Sequence, residues 1–264
     1  MSTIDISADE FGVFCNAIRR LCGIDLAQYK RGQMERRIRT FAERRGIVKL
    51  DEYATVLAGS KDELDEFLDR VTINVSQLWR NPEQWELLAR KVLPEFADRS
   101  RFKAWSAGSS YGAEAYTLAA VAAEALPKSR IEIVGTDIDR RMVERARTGI
   151  FSVGDARDVP RTQLKRWFTE HDGELHADPQ LRSRCRFEAG DLLTMRPAQK
   201  VYDLVLCRNT VIYFTPEVKD ALHARLAAAV VPGGYFMVGS TERINDPGQL
   251  GLEVAHPFVY RRVR

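Results

Sequence analysis

Arg208 and Asn209 stand directly behind the apolar run Asp203-Leu204-Val205-Leu206-Cys207, and Tyr213 follows shortly after. Such a run reads as a strand buried on both faces of a parallel sheet. Polar groups delivered at its C-terminal end lie in the crevice where open α/β sheets bind ligands. Two segments further up the chain agree. Ser106-Ala107-Gly108-Ser109-Ser110-Tyr111-Gly112-Ala113-Glu114 reads as a strand-to-helix turn. Its small residues let a ligand approach the backbone, beside exposed helix N–H groups. Glu114, in the helix's first turn, would repel a phosphate and suits a cationic or hydroxyl-bearing ligand. Asp137 ends a second strand, where an acidic residue bonds ribose hydroxyls. A third segment, Thr72 to Arg80, interleaves polar Asn74, Ser76 and Arg80 with apolar Ile73, Val75, Leu78 and Trp79.

These residues must be positioned by two kinds of structure. Residues 1 to about 92 read as helices. Ser7 with Glu10 forms a capping box for a helix whose apolar stripe is Phe11, Phe14, Ile18 and Leu21, ended by Gly23. A second helix spans about Gln28 to Arg45, with Met34, Ile38 and Phe41 on its apolar stripe. Arg36 and Arg39 fall on the opposite face, flanked by Arg37 and Arg44. Ser60 and Glu63 cap a further helix. From Phe102 onward strands and helices alternate, which predicts a parallel sheet covered on both faces. The chain is expected to close in an antiparallel hairpin. The expected division is a helical domain over 1–92 and an α/β domain over 93–264, with a small β-subdomain inserted at about 152–188.

Composition bounds the rest. The 264 residues carry a formal net charge of +3, too small to imply nucleic acid. Charge is uneven: arginines and lysines crowd residues 19–49, and acidic residues crowd the stretch that follows. The four cysteines form no CxxC pair and read as reduced core residues of a cytoplasmic protein. Scattered histidines argue against a zinc site. No run is apolar enough to span a membrane. A nicotinamide-dependent dehydrogenase is disfavoured, because GxGxxG is missing.

Taken together, four ordered motifs resemble the CheR family, the chemotaxis receptor methyltransferases. They are Thr72 to Arg80, Trp105 to Tyr116, Thr136 to Asp139 and Cys207 to Phe214. The resemblance spans nearly the whole chain. It implies a Rossmann-like S-adenosylmethionine-dependent methyltransferase sheet behind a small all-helical domain. It also implies methyl transfer to glutamate carboxylates of methyl-accepting chemotaxis receptors, without a metal. By the resemblance, S-adenosylmethionine would be held by Asn74, Ser76, Arg80, Glu114, Asp137, Asp191, Leu192, Arg208 and Asn209. Glu114 would take the methionine ammonium, Asp137 the ribose, and Asp191 with Leu192 would flank the adenine. Arg80 and Arg208 would steer the acceptor carboxylate and Tyr213 would orient it.

The chain departs from the family twice. Asp191 stands where Asn is more usual, and the family's Gly-Glu-Glu-Pro becomes Gly112-Ala113-Glu114-Ala115. Arg36, Arg37, Arg39 and Arg44 would face the acidic helical region of the receptor. Some members tether to a peptide at the receptor's C-terminus through the inserted subdomain. The hairpin over 170–178 looks short for that, so receptor binding without a tether, by a monomer, is expected. A methyltransferase of another protein or of a small molecule, and a non-catalytic signalling module of the same fold, remain as alternatives.

Overall fold

The computed structural model describes residues 9–71 and 76–263 of the chain. They fall into two compact units, Met1–Asn74 with Tyr213–Lys219, and Val75–Ile212 with Asp220–Arg264.

The first unit is helical: α1 (Glu10–Cys22), α2 (Arg31–Glu43), α3 (Leu50–Gly59) and α4 (Lys61–Val71). The cap of α1 is Asp9, whose Oδ1 accepts from the Gly12 N–H at 2.7 Å. The expected capping residue, Ser7, lies outside the described residues. Gly23 ends α1 with φ of 81°. Phe11, Phe14 and Ile18 are buried, and Phe14 stacks on Tyr53 of α3. Helix α2 is shorter than its charge-rich sequence suggests and buries Met34, Ile38 and Ala42. Ala42 takes the inward position expected for Phe41, which is half-buried. Segment Tyr213–Lys219 is sewn on by main-chain bonds. The Lys30 N–H donates to the Tyr213 carbonyl at 2.9 Å, and the Thr215 N–H donates to that of Gln28 at 3.1 Å.

The second unit holds α5 (Pro82–Leu87), β1 (Arg101–Ala107), α6 (Ala113–Ala125), β2 (Arg130–Asp137) and α7 (Arg140–Thr148). Next come β3 (Ile150–Ser152), α8 (Arg161–Trp167), β4 (Phe168–His171), β5 (Glu174–Ala177), α9 (Pro179–Arg182) and β6 (Cys185–Ala189). The unit ends with β7 (Tyr202–Cys207), α10 (Pro216–Ala229), β8 (Val230–Val238), β9 (Leu252–His256) and β10 (Val259–Arg262). Helix α10 begins within the segment assigned to the helical unit.

Seven strands form one sheet in the order β6-β2-β1-β7-β8-β10-β9. The first five run parallel, and β10 is antiparallel to both neighbours. Successive strands run outward from β1 to β2 and β6, and outward from β7 to β8. The order therefore reverses between β1 and β7, the point at which such sheets bind ligands. Helix α6 is buried nearly throughout, which explains its lack of a polar face.

A second sheet, β3-β5-β4, is antiparallel. Its hairpin turn is Asp172-Gly173, with φ of 50° and 76°. Two residues with positive φ match a type I′ hairpin. The expected insertion at about 152–188 includes most of β6, but β6 pairs with β2 in the large sheet.

Candidate active site

The site starts at the turn after β1. Gly108 and Ser109 donate N–H bonds to the Thr136 carbonyl at 2.9 and 3.0 Å, so the turn folds over the end of β2. Gly112 opens α6 with φ of 89°. A Cβ there would come within 3.0 Å of Ala146 and of the Phe187 ring, so glycine is required both by φ and by space.

The Ser110 N–H donates to Asp137 Oδ2 at 2.7 Å, and the Asp139 N–H donates to Oδ1 at 3.0 Å. Burial raises the Asp137 carboxyl above its ordinary range, and these main-chain donors work against that rise. Asp139 caps α7 and pairs with Arg141 at 2.7 Å.

Glu114 sits in the first turn of α6. Its Oε1 accepts from the Ser106 hydroxyl at 2.7 Å, and its Oε2 stands 3.2 Å from Arg208 Nη1. Burial pushes its carboxyl up; Arg208 and Ser106 pull it back. Arg208 emerges from the end of β7, across the reversal from β1. Its Nε donates to Gln84 Oε1 at 2.9 Å, and Nη2 donates to the Arg80 carbonyl at 2.8 Å and Asn81 Oδ1 at 3.3 Å. The guanidinium lies 5.0 Å from the Trp85 ring centroid. Burial lowers its pKa and Glu114 opposes that. The Arg208 side chain is only 2% exposed. It clamps Glu114 and the Arg80 backbone.

The segment from Ser76 to Asn81 is irregular and tightly bonded. Trp79 and Asn81 hold φ of 55° and 59°, a strained region for non-glycine residues. The Trp79 N–H donates to Thr117 Oγ1 at 3.0 Å, and the Trp85 indole N–H donates to the Arg80 carbonyl at 2.9 Å. Ser76 and Arg80 line a cavity of about 310 Å³ with Glu83 and Arg157. Asn74 lies outside the described residues.

Asn209 also has positive φ, 59°. Its N–H donates to Glu242 Oε2 at 2.8 Å, and the Gly239 N–H donates to the same oxygen at 2.7 Å. Asp191 follows β6, next to Gly190, whose N–H donates to the Asp137 carbonyl at 2.8 Å. The Asp191 carboxylate turns back on its own loop, accepting from the Leu193 N–H at 2.8 Å and the Thr194 hydroxyl at 3.1 Å. Leu192 is buried beside it.

The structure thus joins Glu114, Arg208 and Arg80 directly, with Asp137 one turn away. Sequence reading missed Gln84, Asn81 and Glu242. Gln84 and Asn81 carry no motif. Glu242 follows the last parallel strand, β8, where an acidic residue after a buried run was the available signal.

Among the arginines of α2, Arg36 and Arg37 line a groove of about 370 Å³ with Lys30, Thr40, Phe41 and Tyr213. The Arg37 guanidinium lies 5.6 Å from the Tyr213 ring centroid. Arg39 is engaged elsewhere, with Glu35 at 2.9 Å and Glu10 at 3.0 Å. Arg44, just past α2, is exposed.

Two family descriptions match the chain. The all-alpha domain of CheR methyltransferase matches residues 9–72, and its SAM binding domain matches residues 74–255. A chemotaxis protein methyltransferase of Listeria monocytogenes is 33% identical over 94% of this chain and 95% of its own. Chemotaxis protein methyltransferase 1 of Pseudomonas aeruginosa is 30% identical over the whole of both chains. With the helical unit, the parallel sheet and the clamped acidic site in place, the chain belongs to the CheR family of S-adenosylmethionine-dependent chemotaxis methyltransferases.

Proposed function

We propose that this chain transfers a methyl group from S-adenosylmethionine to glutamate side-chain carboxylates of chemotaxis receptors, forming glutamyl methyl esters. The observation that carries the reading is the Glu114 carboxylate, its side chain only 12% exposed, clamped by Arg208 and Ser106 where the strand order reverses. Asp137 adds a buried carboxylate at the neighbouring strand end. Two carboxylates there suit a ligand bearing an ammonium group and vicinal hydroxyls, and they exclude a phosphate.

Glu114 would hold the ammonium and Asp137 the ribose. Ser76, Arg80, Asp191, Leu192 and Asn209, with Asn74 by its motif, complete the holding set. Arg208 keeps Glu114 in place. When bound, S-adenosylmethionine supplies an electrophilic methyl carbon on a sulfonium.

A glutamate carboxylate, with an ordinary pKa of about 4.3, is already ionised at neutral pH. Its oxygen forms the new C–O bond as the S–C bond breaks. No proton moves, so no general base is needed. The protein's share is in-line placement and exclusion of water, worth up to roughly 7–11 kcal/mol. Arg80 would draw the acceptor carboxylate in and Tyr213 would orient it. The groove of Arg36 and Arg37 would meet acidic side chains of the receptor's helical region. The short β4–β5 hairpin offers little edge for an added strand, so docking proceeds without a C-terminal tether.

The test is incubation with methyl-labelled S-adenosylmethionine and receptor cytoplasmic fragments. Label released as methanol by mild alkali is expected. A base-stable label would overturn the ester assignment, and absence of any affinity for S-adenosylhomocysteine would point to a non-catalytic module.

A further inference from the structure

Tyr111 lies in the turn between β1 and α6. Its ring is 4% exposed, packed under the Arg145 guanidinium, 4.0 Å from the ring centroid. Its hydroxyl donates to the Ser76 carbonyl and stands 2.9 Å from Asp155 Oδ1. Burial holds the hydroxyl well above its ordinary pKa, so it remains a donor.

Asp155 belongs to the short turn that follows β3. There it closes a capping box with Ser152, and its Oδ2 pairs with Arg145 at 3.5 Å. The same turn and the residues just after it are stitched to the Ser76 segment by further bonds. The Leu78 N–H donates to the Asp155 carbonyl at 3.0 Å, the Gln77 amide donates to Asp158, and Arg157 Nε donates to Gln77 Oε1 at 2.7 Å, with Arg157 Nη2 also donating to Gln77 Oε1. Ser76 to Asn81 is therefore held at both ends, by Arg208 at the far end and by Tyr111 at the near end. The strained φ values of Trp79 and Asn81 fall between those two anchors. A segment kept in a sparsely populated conformation needs such restraint from outside.

We propose that Tyr111 is a positioning residue for methyl transfer: its hydroxyl pins the Ser76 end of the segment to the Asp155 turn, so that Ser76 and Arg80 are preset for S-adenosylmethionine. This rests on the cofactor reading above. The pin also connects the cofactor segment to the root of the three-stranded sheet, because Asp155 directly follows β3.

The test is Tyr111→Phe in the full chain, which keeps the ring and removes the hydroxyl. Loss of one pinning hydrogen bond should raise the Kd for S-adenosylhomocysteine about 3- to 10-fold. The KM for S-adenosylmethionine should rise by a similar factor. Amide exchange at Gln77 to Arg80 should quicken. Tyr116→Phe is the control, since its hydroxyl is also buried and donates to the Ala146 carbonyl, at 3.1 Å, with Arg182 beside it. The control should leave affinity and exchange at Gln77 to Arg80 unchanged.

Equal affinity losses in both variants would overturn the pin as a specific device, as would wild-type affinity in Tyr111→Phe. If the wild-type protein bound no S-adenosylhomocysteine, the cofactor reading would fail. The exchange rates would then still decide whether Tyr111 pins the segment.

Discussion

Arg208 Nη1 stands 3.2 Å from Glu114 Oε2, with both side chains withdrawn from water. Glu114 comes from the helix after β1 and Arg208 from the end of β7, so the pair spans the reversal in strand order. Removing one partner of such a pair strands the other. Arg208→Ala should destabilise the fold by about 3–5 kcal/mol, read by urea denaturation. Arg208→Lys should fall between, because it keeps charge but loses the fork that reaches Gln84 and the Arg80 carbonyl. A stability near wild type for Arg208→Ala would mean that the pair is not held charged.

Acidity should separate folding from ligand binding. The Asp137 carboxyl is raised by burial above its ordinary 3.8. A raised folded pKa favours the protonated form, so Asp137 contributes most stability below 3.8 and loses it as pH rises through the folded value. Relative to Asp137→Asn, the wild-type apoprotein should therefore gain stability as pH falls through the window just above 3.8. Affinity for S-adenosylhomocysteine should fall over the same window, since the ligand hydroxyls need the carboxylate. Thermal melts and calorimetry across that range check both signs. A wild-type advantage that grows with pH would contradict the first.

Glu242 supports Asn209 from behind. Glu242→Ala leaves the N–H groups of Asn209 and Gly239 without that acceptor, at about 1–3 kcal/mol for the buried one at Gly239. Affinity for S-adenosylhomocysteine should drop with stability. Gly239→Ala should act similarly, because its Cβ would stand 2.6 Å from Glu242 Oε2. An Asn209 loop that tolerates both changes would remove this support role.

The four arginines around α2 should divide in function. Arg36→Glu with Arg37→Glu should raise the KM for receptor, most strongly at low salt, and spare S-adenosylhomocysteine binding. Arg39→Glu faces Glu35 and Glu10, so it should lower the melting temperature of the helical unit instead. Receptor kinetics indifferent to the paired reversal would make the groove a solvated surface.

Removing the last residues of a cognate receptor should leave the methylation rate within about twofold, because the β4–β5 hairpin offers little edge for strand addition. A large loss would show that a tether exists.

Much of the α/β body was legible because burial on both faces of a parallel sheet writes long apolar runs, and turns with glycine punctuate them. Strand β1 starts within a residue of Phe102, β2 ends at Asp137 as expected, and β7 matches the run from Asp203 to Cys207 to within a residue. Helix α3 was not singled out, since its start at Leu50 follows Lys49, which offers no side-chain cap. The motifs marked Glu114, Asp137 and Arg208 but not what each one touches. Gln84 reaches Arg208 across 124 residues of sequence, a distance no local pattern records. The same holds for the sorting of α2: periodicity placed Arg39 on the polar face, but the fold decides that Glu10 and Glu35 take it.

The antiparallel bridge between Tyr29 and Phe214 has a consequence for how the molecule is made. During synthesis the helical unit emerges first, yet the segment that Tyr29 and Lys30 bind lies about 140 residues behind it. At ribosomal speeds of about 5–20 residues per second, that segment arrives roughly 7–30 s later. Until then the groove beside Arg37 lacks its Tyr213 wall. The nascent head therefore presents an incomplete groove, closed only once the chain beyond Arg208 has been made.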